Sequence, residues 1–211
     1  MMCLRSAKCA RFYRGKPMLD QAALDLLFTQ ARSHNDFDPT PVSDDKLRAL
    51  YDVMKMGPTS ANCCPARLVF VTSDAAKARL MPFIIESNIE KVTNAPVCAI
   101  IANDVKFYDR IPELFPHNPS ARDWFTGSEE FAAETAMRNG SLQAAYLMLA
   151  ARALGLDVGP ISGFDPDGLN QEFFPDGQWR VNMLCNIGHG RPEAVFERLP
   201  RLAFDDACQI I

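Results

Sequence analysis

The stretch APVCAIIAND, residues 95–104, is a continuous apolar run with the length of a β-strand. Runs of this kind are typical of strands that are buried on both faces of a sheet. The segment WRVNMLCNIGHG, residues 179–190, has the same character, and RLVFVTS, residues 67–73, is predicted to be a third strand. These three segments predict that a sheet lies at the centre of the fold.

Helical patterns lie between and around the predicted strands. Residues 18–32 place Leu and Ala side chains on one helical stripe, and Ser43 is a good N-cap for a helix that ends at Gly57. Shorter helices are predicted at residues 74–84 and 166–174. Helices that alternate with a few buried strands predict an α+β domain built around one sheet.

The strongest helical pattern covers residues 129–155, and because it has few polar residues after Ser141 we expect it to be buried on most sides. The segment before it, residues 106–129, is long, aromatic and contains proline, so we expect it to cover another part of the molecule. Residues 1–17 are basic and lack an apolar h-region, which predicts a disordered extension rather than a secretory signal. A single domain is expected over residues 18–211.

Charge, hydropathy and cysteine spacing argue against several classes of function. The 211-residue chain has a net charge of −4 without clustered Lys and Arg, so a nucleic-acid partner is not expected. No apolar run approaches the roughly 20 residues that span a bilayer, so no membrane association is expected. The seven cysteines form no C-x-x-C pair, which argues against a metal knuckle or a thioredoxin-like motif. Scattered free thiols fit a cytoplasmic protein.

The stretch GPTSANCCPAR, residues 57–67, follows a predicted helix and contains two adjacent cysteines. Its Pro, Thr, Ser and Asn residues alone are explained by an ordinary turn. Adjacent cysteines do not easily bridge each other without backbone strain, and the sequence shows no partner that would make Cys63 or Cys64 a nucleophile or metal ligand. We therefore expect Cys64 to be a packing residue, or to line an acceptor pocket.

Three further segments carry polar or glycine-rich patterns. In GPISGFD, residues 159–165, two glycines bracket Pro-Ile-Ser, so that the backbone can approach a flat ring closely. ARSHN, residues 31–35, has side chains that can hold a phosphate, but taken alone this pattern is a weak signal and favours an exposed Arg at a helix end. NIEK, residues 88–91, fits either a site or a solvated helix end, and the three histidines are interpreted as local polar residues.

Five segments, taken in order, resemble the FMN-dependent nitroreductase superfamily: GPTSANCCPAR, RNGSLQAAYL, ALGLDVGPISGFD, NIGHG and RLPRLAFDDAC. The resemblance runs from about Gln21 to the C-terminus and is closest to the malonic semialdehyde reductases of pyrimidine degradation. It implies a nitroreductase-like fold, in which helices flank a central, mainly antiparallel sheet. It also implies an intertwined homodimer with FMN at the interface.

The motifs of this superfamily imply a role toward FMN for each matching position. Arg32 and Ser33 fall in an element that contacts the phosphate and ribityl groups. Asn35 stands where a basic residue commonly contacts the flavin. A loop that reaches the flavin from the partner subunit is matched by Pro58, Thr59, Ser60 and Asn62.

The remaining matches lie further along the chain. Asn88 and Lys91 match a pair near the N3, N1 and O2 edge of the flavin, and Asn139 aligns with a polar residue near the ribityl chain. A C-terminal phosphate contact is left open between Arg198 and Arg201. The strip along the isoalloxazine ring, with a backbone N–H near N5, is matched by Pro160, Ile161, Ser162 and Gly163.

The resemblance implies a ping-pong reaction in which NADH or NADPH passes a hydride to flavin N5 and a second substrate then accepts it. The expected acceptor is a small aldehyde, malonic semialdehyde, which becomes 3-hydroxypropionate. Lys91 near N1 would stabilise the anionic reduced flavin, and neither a catalytic triad nor a metal is implied. Nitro compounds, quinones or enones are an alternative class of acceptor, and a flavin-binding sensor or scaffold is the non-enzymatic alternative. Ser162 stands where many nitroaromatic reductases have an acidic residue.

Overall fold

The computed structural model describes residues 18–211, so the expectation for residues 1–17 lies outside it. The chain divides into two compact units, the first ending at Ala31 and the second spanning Arg32–Ile211. A single domain over residues 18–211 stays a prediction.

The first unit contains the helix expected at residues 18–32, in a shorter form. Helix α1 (Gln21–Leu24) is capped by the Asp20 carboxylate, which accepts a hydrogen bond from the N–H of Ala23. The chain continues as a π-helical turn, Asp25–Thr29. None of these helical residues is buried, so the predicted apolar stripe is not a core face of the single chain.

The second unit contains a five-stranded sheet in which every pair of neighbouring strands is antiparallel. Strand β5 pairs with β3, β4 and β1, and β2 extends the sheet beyond β3. The central antiparallel sheet expected from the sequence is therefore confirmed. Its strands are β1 (Phe37–Asp38), β2 (Ala66–Val71), β3 (Val97–Asp104), β4 (Asp157–Ile161) and β5 (Trp179–Gly190).

The three predicted strands are present, whereas β1 and β4 were not predicted. β1 is only two residues long. β4 contains Gly159 and Pro160, residue types that are depleted in strands. Proline fits here because β4 has β5 as its only partner strand, so the missing N–H can face away from the ladder.

Eight α-helices accompany the sheet in the second unit. Helix α2 begins as predicted, with the Ser43 hydroxyl accepting a hydrogen bond from the N–H of Lys46. The helices are α2 (Asp44–Met54), α3 (Asp74–Leu80), α4 (Glu86–Asn94), α5 (Ile111–Leu114), α6 (Asp123–Thr126), α7 (Glu129–Ala153), α8 (Pro166–Phe173) and α9 (Phe204–Ala207).

The two faces of the sheet bury separate apolar clusters. On one face, side chains such as Cys185 pack with apolar residues of α2 and α7. On the other face, Cys98 and Leu184 pack with residues of α3, α4 and α8. Burial raises the pKa of the Cys98 and Cys185 thiols to about 12, so both are neutral core residues.

Helix α7 is buried along one face only, which corrects the expectation that it would be buried on most sides. In the single chain the sheet covers the side that carries Leu147 and Ala151. Large apolar side chains remain on the other side: Phe131 is 45% exposed, Met137 48%, Leu142 47% and Tyr146 38%.

The segment expected to cover another part of the molecule builds a small core of its own. Phe107, Ile111 and Phe125 are buried together with Cys63 and the first turns of α7. Burial raises the pKa of the Cys63 thiol to about 11. The segment therefore encloses one of the two adjacent cysteines.

The C-terminal tail, residues 191–211, is largely irregular and forms the short helix α9 near its end. Its apolar side chains are largely exposed: Phe196 by 75%, Leu199 by 74%, Leu202 by 76% and Ile210 by 88%. Within residues 18–211, every helix is too short or too polar to cross a bilayer.

Candidate functional site

A cavity of about 300 Å³ opens where residues 33–35, helix α4 and the end of β4 meet. Eight residues that the sequence had singled out line it, although they come from three separate segments. The lining residues are Ser33, His34, Asn35, Ile85, Asn88, Lys91, Gly159, Pro160, Ile161, Ser162, Gly163 and Asn186.

Residues 33–35 are held on β4 by backbone contacts. Ser33 forms a parallel bridge with Val158, and the N–H of His34 donates a 3.0 Å hydrogen bond to the carbonyl of Val158. A Cβ atom at Gly159 would overlap the carbonyl oxygen of His34. Glycine at this position therefore lets the two segments lie close enough to share one cavity wall.

Helix α4 contributes an amide and an ammonium group that are already bonded to each other. Lys91 Nζ donates to Asn88 Oδ1 at 3.1 Å, and Asn88 Nδ2 donates to the carbonyl of Gly163 at 3.2 Å. A Cβ atom at Gly163 would lie 2.6 Å from Asn88 Nδ2 and would collide with Ile85. The strip after β4 and helix α4 are therefore locked together at the cavity.

The cavity is polar but carries little charge. Lys91 is the only Lys or Arg among the described residues that line it, and none of them is Asp or Glu. Amide groups of Asn35, Asn88 and Asn186 supply hydrogen-bond donors and acceptors. A polar heterocycle that gains negative charge matches this set of groups.

Sequence reasoning missed His34, Ile85 and Asn186 as lining residues. Asn186 is 1% exposed, and its Oδ1 has no hydrogen-bond partner among residues 18–211. The signal in the sequence is a polar side chain within a short apolar stretch, residues 183–187. His34 Nδ1 is also buried without a hydrogen bond and lies 3.6 Å from Asp157 Oδ1.

The predicted loop at residues 58–62 does not line this cavity. Asn62 and Cys64 instead line a groove of about 580 Å³, which shares no lining residue with the cavity. In a single chain the predicted site is therefore divided between two places. This division is the arrangement expected if the loop serves the cavity of a partner subunit.

The loop has a strained backbone that many contacts hold in place. Ala61, Asn62 and Cys64 have positive φ angles of 48°, 49° and 39°, which are uncommon for residues other than glycine. Thr59 Oγ1 accepts a 3.1 Å hydrogen bond from the N–H of Cys64. Asn62 Nδ2 donates to the carbonyl of Leu114 at 2.8 Å. Strain that is fixed by its surroundings is frequent at binding sites.

The arginines expected at the phosphate do not line the cavity of the single chain. Arg32 is half-buried, and Arg198 is exposed in the tail. Arg201 donates from one guanidinium nitrogen to the carbonyls of Leu199 and Pro200, at 3.0 and 3.1 Å. Their contacts with a phosphate stay predictions.

Comparison with known proteins identifies the family. A family model described as the Nitroreductase family matches residues 28–189, which include every residue that lines the cavity. The chain belongs to the nitroreductase family. The nitroreductase-like fold expected from the five sequence segments is thereby confirmed.

Bacterial members of the nitroreductase family are similar over nearly the whole chain. A protein of Cupriavidus pinatubonensis is 54% identical over 189 residues, which are 89% of this chain and 96% of the relative. A protein of Rhodopseudomonas palustris is 55% identical over 188 residues, 89% of this chain and 95% of the relative. Both are provisionally named NADH dehydrogenase/NAD(P)H nitroreductase.

Solved structures of nitroreductases have the same fold. A nitroreductase of Exiguobacterium sibiricum, solved in complex with FMN, superposes with a TM-score of 0.80 at 20% identity. The match covers 93% of this chain and 99% of that one.

Proposed function

We propose that the protein is an FMN-dependent NAD(P)H oxidoreductase that reduces a small aldehyde, malonic semialdehyde, to the alcohol 3-hydroxypropionate. The observation that carries the proposal is the cavity that gathers residues 33–35, the Asn88–Lys91 pair and the strip at residues 160–163. Membership of the nitroreductase family and the provisional names of the relatives support an NAD(P)H-dependent oxidoreductase, whereas the aldehyde acceptor rests on the sequence resemblance.

The residues of the cavity fit FMN. The pyrimidine edge of an isoalloxazine ring offers one N–H donor and two carbonyl acceptors, and Asn88, Lys91 and the unpaired Oδ1 of Asn186 can satisfy groups of this kind. The Pro160–Gly163 strip would lie along the ring. Arg32 would add charge for the phosphate.

When bound, FMN supplies hydride transfer from NAD(P)H to the acceptor, while the protein supplies binding and electrostatics. The balanced reaction is aldehyde, NAD(P)H and one proton to alcohol and NAD(P)⁺. The Lys91 ammonium would stabilise negative charge that develops on a cofactor bound in the cavity. Asn88 keeps that ammonium in place through the 3.1 Å hydrogen bond.

We further propose that a homodimer completes the site. The cavity and the 58–62 loop are separate in one chain, and the unburied side of α7 and the tail carry apolar residues such as Tyr146 and Leu202. Exposed apolar residues gathered on one face are typical of surfaces that a partner covers. The loop of each chain would then contact the cofactor of the other.

Purification with FMN tests the cofactor. A yellow protein that NADH or NADPH bleaches in stopped-flow, and that aldehyde then re-oxidises, is the expected result. A colourless protein that takes up no FMN would reject both the enzymatic and the sensor proposals. Bleaching without turnover of any acceptor would favour a sensor or scaffold.

Mixed dimers test the shared site. One chain carries Lys91→Ala and the other Asn62→Ala. If each cavity receives its loop from the partner, the mixed dimer has one site damaged twice and one intact site, so activity returns when the chains are mixed. If both groups act within one chain, no site is intact and mixing restores nothing. Light scattering on the same samples gives the oligomeric state.

Nitro compounds are the second candidate class of acceptor, which the provisional names of the relatives favour. Comparing kcat/KM for malonic semialdehyde, nitrofurazone and menadione separates the two classes. The aldehyde is expected to have the highest value. A higher value for nitrofurazone or menadione would identify a nitro or quinone reductase instead.

A further inference from the structure

Asn186 is a buried polar residue in the middle of strand β5. It is 1% exposed, and its Cα partners on the neighbouring strands are Cys98 and Gly159. Leu184, which points to the same face of the sheet two residues earlier, packs into the apolar cluster. A leucine at position 186 would also satisfy a buried strand, so the amide needs a separate explanation.

The amide of Asn186 holds the end of helix α4. Asn186 Nδ2 donates a 2.8 Å hydrogen bond to the carbonyl of Lys91. This carbonyl lies in the last turn of the helix, where Ala95 is already extended and Pro96 has no N–H to offer. Carbonyls at a helix end need partners from outside the helix, and Asn186 provides one.

This bond also fixes the orientation of the amide. Because Nδ2 must face the carbonyl of Lys91, Oδ1 faces the other way, and it is left without a partner among residues 18–211. An unpaired buried acceptor costs about 1–3 kcal/mol. A hydrogen-bond donor on a molecule bound in the cavity, which Asn186 lines, would remove this cost.

A chain of hydrogen bonds leads from Asn186 across the cavity wall. Asn186 binds the backbone of Lys91, the Lys91 ammonium binds Asn88, and Asn88 binds the carbonyl of Gly163. The chain joins β5, α4 and the strip after β4. A shift of the α4 end would therefore move the only ammonium among the described residues that line the cavity.

We propose that Asn186 is a positioning residue that fixes the Lys91 ammonium relative to the cofactor and so raises the electron affinity of the flavin. This inference rests on the proposed FMN site. The interaction between two charges weakens with distance, and it weakens further when water enters between them. A displaced Lys91 would stabilise the extra negative charge of the reduced cofactor less well, whereas oxidised FMN would be affected less.

The test compares Asn186→Leu with a matched control, Asn170→Leu. Asn170 also links a helix to β5, since its Oδ1 accepts a 2.8 Å hydrogen bond from the N–H of Val181, but it does not line the cavity. The midpoint potential of bound FMN is measured against reference dyes, and the dissociation constant of oxidised FMN by fluorescence.

Asn186→Leu is expected to weaken the binding of reduced FMN about tenfold relative to that of oxidised FMN. For a two-electron couple, this change lowers the midpoint potential by about 30 mV. Asn170→Leu is expected to lower the melting temperature and to leave the potential unchanged. If Asn186→Leu lowers the melting temperature and leaves the midpoint potential unchanged, Asn186 only anchors the helix and the proposal is overturned.

A double-mutant cycle provides an independent test with milder variants. In a Lys91→Gln background, Asn186→Ser should leave the potential unchanged, because the charge that Asn186 positions is absent. In the wild-type background, Asn186→Ser should lower the midpoint potential. Equal shifts in both backgrounds would show that Asn186 does not act through Lys91. Wild-type protein that binds no FMN would instead refute the proposed function.

Discussion

The amide oxygen of Asn139 accepts a 2.8 Å hydrogen bond from the backbone N–H of Ser60. Asn139 Nδ2 donates to the carbonyl of Thr135 at 2.9 Å, and the side chain is 1% exposed. Four residues later on α7, Gln143 Oε1 accepts from the N–H of Ala66 at 2.8 Å. Asn139 therefore holds the loop that precedes β2, and Gln143 holds the first residue of that strand. Asn139 was expected near the ribityl chain, a role that stays a prediction.

We predict that Asn139→Ala loosens the loop. The substitution leaves the N–H of Ser60 unpaired, which should lower the free energy of unfolding by about 1–3 kcal/mol. FMN binding should weaken as well, because the loop loses its fixed shape. Urea unfolding and FMN titration measure the two effects. Arg138→Ala, one residue away on the exposed side, should change stability by less than about 0.5 kcal/mol. Wild-type affinity in Asn139→Ala would reject the coupling.

We predict that Lys91→Gln slows reduction of the flavin by NAD(P)H roughly tenfold, because about 1.4 kcal/mol of charge stabilisation is removed from the transition state. Stopped-flow absorbance measures the rate. The matched control is Lys77→Gln, since Lys77 Nζ donates to the carbonyls of Thr93 and Ala95 at the same end of α4 but does not line the cavity. If both variants slow reduction equally, helix anchoring explains the effect and the Lys91 charge does not.

We predict that Cys64→Ala keeps its activity. The Cys64 thiol makes only long contacts, at 3.7 Å with Thr59 Oγ1 and 3.5 Å with Asn62 Oδ1. Thr59→Val, in contrast, leaves the N–H of Cys64 without its acceptor and should weaken FMN binding several-fold. Steady-state kinetics and FMN titration compare the pair. A Cys64→Ala variant without activity would show that the thiol has a direct role.

We predict that Gly140→Ala is strongly destabilising. A Cβ atom at Gly140 would overlap Asn103 Oδ1, which is buried, so the substitution should cost about 1–3 kcal/mol. Gly127→Ala is the control, because no atom lies within 4 Å of its added Cβ. Thermal unfolding of both variants measures the difference. Equal melting temperatures would show that α7 can move away from β3 without cost.

We predict that stability falls above pH 9 in part because of Cys98. Burial raises the pKa of its thiol from 9.0 to about 12. Below pH 9 the thiol is neutral in both states; between pH 9 and 12 only the unfolded chain releases the proton, which favours unfolding. In Cys98→Ala, the free energy of unfolding should therefore decrease with pH less steeply, by about 1.4 kcal/mol per pH unit. Val97→Ala shortens a neighbouring side chain without removing a thiol and should keep the wild-type slope.

The sequence was sufficient for the elements whose patterns are local. Strands β3 and β5 are rich in apolar residues, and α2 and α7 have capping residues and long helical patterns, so each was predicted close to its observed bounds. The missed strand β4 contains Gly159 and Pro160, whose fit depends on tertiary neighbours rather than on propensity.

The candidate site was predictable only where the family motifs mark it. Residues 160–163 and the Asn88–Lys91 pair were located from the resemblance and line the cavity. Asn186 was missed because its partner is the carbonyl of Lys91, a backbone atom 95 residues away, and no local pattern predicts such a bond. The exposed face of α7 was missed for a different reason. The residue pattern shows that the helix is apolar, but it does not show which sides of the helix are covered by the same chain.

The bond between Ser60 and Asn139 spans 79 residues, which sets an order of events during synthesis. When the loop leaves the ribosome, the helix that shapes it has not yet been translated. The loop can therefore gain this bond only after the part of α7 that carries Asn139 has emerged. Binding competence is consequently a late product of folding, and a chain stopped before Asn139 would carry the loop sequence without this bond.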